Sequence, residues 1–506
     1  MLAVRYQLGV LDEAVESACV ELASVRAVER LWGSDHTLFA EAPDECANRM
    51  GWVETAAESR ERWPDLVDAA AAISRTSDRV VLMGMGGSSL FAEVLAEMFG
   101  SGSGAPRLHV IDSTHPDAIR RVAEACPPDR TFHLASSKSG STVETRSHLA
   151  WFFDRSRDPA RFGVVTDPGS RLSIDATAAR YSHQWLNDPD IGGRYSALSM
   201  FGMVPAALIG ADGAAVLDSA LDQCDALEPL GDDDRLNVGL RLGAAIAVAA
   251  LAGRDKLTFW LDDRFSPFGA WVEQLVAESL GKRGLGVVPV VGEAHDVAVD
   301  NPDDRMIVSI GEVAVPPPGV PFISIPIEEA TDLGALVQLW CFAVALAGRV
   351  LGINPFDQPD VESAKVAARS LLGGATQPEP ALSPLSDALS EVVPGDHLAV
   401  CAFVDPGSAT ASALARARLE LGRQLGVAST FGIGPRFLHS TGQLHKGGPG
   451  NQVIIQVVED SVDDLSVPGE SFTFSELFRA QAAGDLHAVR AAGRRAHRVS
   501  VRELLG

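Results

Sequence analysis

The chain has 506 residues, 46 % of them apolar and 22 % charged, with a formal net charge of −25 at pH 7. That length predicts roughly two to four packed units of ordinary globular material. The acidic balance weighs against nucleic acid or an anionic membrane as a partner, since both need a basic surface. An anionic ligand would have to be held locally, by backbone N–H groups and a few chosen cations.

The N-terminus, "MLAVRYQLGVLDEAVES", has no apolar run of signal-peptide length. Residues 10 to 75 read as helices, with apolar residues at helical spacing in "LDEAVESACVELASVRAVERLW" and "WVETAAESRERWPDLVDAAAAIS". The pattern then changes. "RVVLMGMGGSSLFAEVLAEMF", "RLHVIDS", "TFHLASSKSGST" and "RFGVVTDPGS" each join an apolar run to a turn of small polar residues, with helical stretches such as 117–125 and 143–153 between them. That alternation predicts a parallel sheet covered by helices. A second set follows in 256–263, 286–292, 305–310 and 321–327. The longest apolar run, 333–348, is short for a membrane span and lies between Asp332 and Arg349, so it reads as a buried helix. A Pro- and Gly-rich stretch, "LLGGATQPEPALSPLSD", reads as a linker, and a third set of strands follows in "HLAVCAFVD", "VASTFGIG" and "VIIQVVED". Near the end, "RAAGRRAHRVSVREL" reads as a basic helix-like stretch packed on the acidic body.

Cys19, Cys46, Cys126, Cys224, Cys341 and Cys401 are scattered, with no CxxC pair and no metal-spaced histidines. Reduced thiols in a cytoplasmic protein are the expectation. No HExxH or acidic triad appears, so neither a metal nor another cofactor is expected.

Five segments carry residues suited to chemistry. "GMGGSSL" places Gly86, Gly87 and Ser88 between a strand and a helix, where backbone N–H groups can face an anion. "SSKSGSTVET" offers Ser137, Ser139 and Thr142 as short donors and Lys138 as a cation at a helix start, which is what a phosphate monoester needs. It is not a Walker loop, so a small phosphorylated metabolite is implied rather than a nucleotide. "GGRYSALSMFG" puts Arg194 where a guanidinium could meet a developing oxyanion. "SPFGAWVEQLVAESLGKRG" starts a helix near Pro267 and ends it near Gly281, leaving Glu278 in the last turn, facing the negative helix end. Such a carboxylate suits a general base that must also return its proton. "GINPFDQPDVESAK" carries Gln358 and Lys365 on a proline-turned segment entering a helix.

In this order, these segments resemble those of phosphoglucose isomerases over most of residues 78 to 370. The resemblance implies an α/β fold of two sugar-isomerase (SIS) parallel-sheet domains. They would occupy 76–215 and 216–370, after an N-terminal helical segment at 1–75; a linker at 371–393 and a C-terminal α/β region at 394–506 would follow. The nearest likeness is to the branch often fused behind a transaldolase, although the stretch before residue 78 is too short for a (β/α)₈ barrel.

The resemblance implies interconversion of glucose 6-phosphate and fructose 6-phosphate without a cofactor. Glu278 matches the base that moves a proton between C1 and C2, and Lys365 the lysine near the ring oxygen. Arg194 matches the arginine that stabilises the enediolate, Ser137, Lys138, Ser139 and Thr142 the phosphate loop, and Gln358 a glutamine lining the site. It also implies a homodimer with a ring-opening histidine reaching across the interface. Between Glu278 and Lys365 that histidine is missing: the matching stretch, 331–338, has Gly334 in its place, and the surroundings of His295 do not match. "FLHSTGQLHKGG" reproduces the missing segment after Lys365, which makes His439 the candidate and His445 a weaker second. Two rivals are an isomerase that also accepts mannose 6-phosphate and a non-catalytic sugar-phosphate sensor on SIS domains. A sensor would not need Glu278.

Overall fold

The computed structural model of the protein describes residues 1–312, 315–360 and 380–506. Lys365 therefore lies outside the described residues. Strand β1 is Arg5–Gln7. A first parallel sheet contains β2 (Arg79–Met83), β3 (Arg107–Ile111), β4 (Thr131–Ser136), β5 (Phe162–Thr166) and β6 (His183–Leu186), ordered β3-β2-β4-β5-β6. A second contains β7 (Lys256–Leu261), β8 (Val288–Val290), β9 (Arg305–Gly311) and β10 (Phe322–Pro326), ordered β1-β10-β9-β7-β8, with only β1 antiparallel. A third, all parallel, contains β11 (His397–Phe403), β12 (Ala428–Ile433), β13 (Gln452–Val458) and β14 (Arg495–Arg498), ordered β12-β11-β13-β14.

Every residue of β4, β9 and β11 is buried. Strands covered on both faces read as continuous apolar runs, which is why the central strands are visible in the sequence. The edge strands β6 and β14 are not. In β6 the pattern is half-buried and polar, and β14 is "RAHR", with only Ala496 and Arg498 turned inward. The C-terminal basic stretch is thus corrected: Gly493, at φ +72°, follows the helix Phe474–Ala491, and a strand comes next. Its charges are taken up within the fold, Arg495 by Asp396 at 2.7 Å and Arg494 by the carbonyls of Lys446 and Gly448. Within the stretch read as a linker, Leu385–Ser390 forms a short helix.

The apolar run after Asp332 is the helix Leu333–Leu351, long and apolar enough to cross a membrane but buried almost throughout inside the fold. A Cβ on Gly334 would sit 1.8 Å from the Val216 carbonyl oxygen, on the helix Gly213–Leu227. No side chain fits there, so a histidine at that place would destroy the contact between the two helices.

Candidate active site

The loop after β2 is built for close approach. Gly86 adopts φ +54°, and a Cβ there would lie 2.5 Å from the His439 carbonyl oxygen. A Cβ on Gly87 would lie 2.0 Å from the carbonyl oxygen of Gly193. Glycine is required at both, because the loop touches the Arg194 turn on one side and the His439 turn on the other. The Ser88 carbonyl accepts from Ser136 Oγ at 2.8 Å, which ties the loop to the end of β4.

The serine-rich loop follows β4 and opens the helix Val143–Ser156. Ser137 Oγ lies 3.2 Å from Thr142 Oγ1 and accepts from the Gly140 N–H. Thr142 is the residue before the first helical turn and does not cap it with its side chain. Ser139 and Ser141 are exposed beside the helix start, their hydroxyls 2.7 Å apart. Lys138 is partly committed: its ammonium donates to Asp167 Oδ2 at 2.6 Å and to the Pro189 carbonyl. Burial pushes the Asp167 carboxyl up, and Lys138 opposes that.

Glu278 lies in the last turn of the helix Phe268–Leu280 and is only 7 % exposed. Gln274, one turn earlier, donates through Nε2 to Glu278 Oε2 at 3.2 Å and to the His439 carbonyl at 2.8 Å. Arg194, on the short turn Gly193–Tyr195, is buried. Its Nε donates to Ser279 Oγ at 2.9 Å, and Nη2 donates to the carbonyls of Pro355 and Asp357 at 2.7 and 2.8 Å. Three bonds fix the guanidinium plane and leave Nη1 facing the Glu278 carboxylate at 3.7 Å. A cation so held needs little reorganisation when charge develops beside it.

Lys282, buried beyond the same helix, donates to the carbonyls of Asn354 and Asp357 and to Asp357 Oδ1 at 2.7 Å. Burial, helped by the Arg194 charge and opposed by Asp357, brings its ammonium down to about 7. Arg194 and Lys282 together hold the turn that presents Gln358, which is exposed at the rim.

His439 ends the turn Arg436–His439, after β12. Its Nε2 is 2.9 Å from Oε1 of Glu144, in the first turn of the helix that the serine-rich loop opens. Gln481 Nε2 donates to the same oxygen at 2.6 Å, and Gln481 Oε1 accepts from Thr114 Oγ1 at 2.7 Å. Burial pushes the Glu144 carboxyl up, but the charge and hydrogen bond of His439 outweigh it and hold the group below its usual range. With Nε2 committed to Glu144, Nδ1 is the nitrogen left to exchange a proton. His445 is elsewhere: buried beside Cys401 Sγ at 3.9 Å, in the interior of the C-terminal sheet.

The fold thus brings Gly86, Gly87, Arg194, Glu278 and His439 into one connected network, with the serine-rich loop joined to it through Glu144. Glu144 and Gln481 were not legible as site residues. Glu144 had one signal, its place in the "STVET" helix start; Gln481 had none.

Parallel sheets covered by helices, a serine-rich loop at a helix start and a buried Glu278–Arg194 pair place the chain in the class of parallel-sheet α/β proteins. No family model matches it. It is 30 % identical over 353 residues to a glucose-6-phosphate isomerase of Thermus thermophilus, spanning 58 % of this chain and 83 % of that one. It is 29 % identical over 357 residues to that of Rubrobacter xylanophilus, spanning 58 % and 82 %. The chain belongs to the glucose-6-phosphate isomerase family. Among solved structures, a hypothetical protein from Thermus thermophilus superposes with a TM-score of 0.64 at 25 % identity, over 74 % of this chain and all of that one. The glucose-6-phosphate isomerase of Chlamydia trachomatis shares the fold, with a TM-score of 0.61 at 19 % identity over 71 % of this chain and 85 % of that one.

Proposed function

We propose that the protein is a cytoplasmic aldose–ketose isomerase that interconverts D-glucose 6-phosphate and D-fructose 6-phosphate. The observation that carries this reading is Arg194 Nη1 held 3.7 Å from the buried Glu278 carboxylate, beside the His439 turn. Glu278 removes the proton α to the carbonyl of the open-chain sugar and returns it to the neighbouring carbon. The electron pair left behind becomes the cis-enediolate, whose charge Arg194 stabilises. His439, backed by Glu144, exchanges a proton with the substrate ring to open and close it. Lys365 is assigned a place near the ring oxygen and anomeric hydroxyl by the likeness of its segment alone.

Ser137, Lys138, Ser139 and Thr142 hold the phosphate, with Gly86, Gly87, Ser88 and Gln358 along the sugar. Remote binding of the phosphate aligns C1 and C2 with the base. The hydrogen moves as a proton, so no redox cofactor enters the reaction. A dehydrogenase-coupled assay with fructose 6-phosphate tests the reading. Wild type should turn over, and Glu278→Gln should lower kcat by about 10²–10⁴-fold. Sugar phosphate that binds wild type without turnover would leave a sensor, not an enzyme.

A further inference from the structure

The proposed catalytic groups come from two parts of the chain. The serine-rich loop, Glu144, Arg194 and Glu278 precede residue 312, whereas His439 and Gln481 come from the third sheet unit. How that unit meets the rest decides whether one chain is enough.

Its contact with the first sheet is a core, not a grazing surface. Val467 and Phe474 share one apolar cluster with Val81, Met83 and Ile111. Phe474 also stacks on His148, with ring centroids 5.7 Å apart. Arg436 bridges to Glu93 at 2.7 Å and Asp112 at 2.6 Å. The contact with the second sheet is similar. Ala428 and Leu444 share a cluster with Ala277, Val288 and Val290. Gln443 donates to the Gly281 carbonyl at 3.0 Å, and the Ser429 N–H donates to Glu293 Oε1 at 3.2 Å. Shared apolar clusters crossed by ion pairs and hydrogen bonds mark a permanently assembled contact rather than a transient one. His439 is fixed where these contacts meet: its carbonyl accepts from Gln274 and its ring meets Glu144.

We infer that the C-terminal sheet unit acts as a built-in partner subunit, delivering His439 in cis to the Glu278–Arg194 pair of the same polypeptide. This rests on the isomerase reading. A second copy, where the chain self-associates, then does not supply the histidine.

Subunit complementation tests this. Glu278→Gln and His439→Asn are each made singly, then co-expressed with different tags and co-purified. In cis, every site keeps one defect, and activity stays at the sum of the two variants. If His439 crossed between copies, every dimer purified through both tags would be mixed and would hold one intact site of its two, restoring about half of wild-type activity; that recovery overturns the inference. Wild-type dilution gives a second readout should His439→Asn fail to fold. Specific activity should hold constant where light scattering shows a single-chain mass, and its loss there overturns the inference. Wild type inactive at every concentration would instead sink the isomerase reading itself.

Discussion

The Nε2 atom of His439 lies 2.9 Å from Oε1 of Glu144, a partner 295 residues earlier in the chain. This contact joins the C-terminal sheet unit to the helix opened by the serine-rich loop, and it orients the imidazole through Nε2.

Glu144→Gln keeps the shape of that contact and removes its charge. The expected result is a fall in kcat of about 10- to 100-fold with little change in KM, since the loss concerns a proton transfer and not phosphate binding. The pH dependence has a definite sign. The folded-state Glu144 carboxyl sits below its usual range, so its contribution to stability is in full above the ordinary carboxylate value. It is lost as pH falls from there through the lower folded value. Melting curves followed from about pH 5 downwards through the acid range should show wild type losing an increment that the variant never had.

Gln481 is a positioning residue on this view. Its side chain accepts from Thr114 and donates to Glu144, so Gln481→Leu strands both partners in a buried place. About 1–3 kcal/mol of stability should be lost in urea titrations. A purely structural role would leave the pH profile of kcat where it was. A shift of its acid limb, reversed in Gln481→Asn to the extent that the shorter amide still reaches Glu144, marks the positioning role.

The central strands and the order of the site segments were legible because both are local. Buried parallel strands print apolar runs, and the turns after β2 and β4 print glycine and serine. What escaped depends on distant partners. The edge strands β6 and β14 are too polar to declare themselves, and only the neighbouring strand's hydrogen bonds make "RAHR" extended. Glu144 looks like any acid in a first helical turn until His439 and Gln481 arrive. Gly334 looked like a histidine lost; its Cβ space is filled by the Val216 carbonyl, so that position belongs to the core and could never have held the group.

Lys138 divides its ammonium between Asp167 and the Pro189 carbonyl, so a phosphate held by the proposed loop would compete with Asp167 for it. Asp167→Asn should therefore lower KM for fructose 6-phosphate several-fold, and Lys138→Ala should raise it, each with a smaller effect on kcat. Inhibition by inorganic phosphate should move in the same directions. A Lys138→Ala enzyme with unchanged KM and unchanged phosphate inhibition would remove this residue from the phosphate loop.

Lys282 makes the last prediction: like Glu144 it makes stability rise with pH, but because burial disfavours its charged form. Burial draws the folded-state ammonium down to about 7, whereas the unfolded chain keeps that proton up to about 10.4. Between those values the unfolded state binds more protons, so the cost of burying the charge is relieved as pH rises. Wild-type stability relative to Lys282→Met should grow from pH 7 towards pH 10, by an amount on the order of a few kcal/mol. At pH 7 the variant also leaves the carbonyls of Asn354 and Asp357 without their donor. Those two residues flank the turn that clamps Arg194 Nη2, so kcat should fall although Lys282 touches no proposed substrate atom. Parallel melting curves of the two proteins across that range, with kcat measured at pH 7, would check both halves; curves that keep a constant separation would show that Lys282 stays charged throughout.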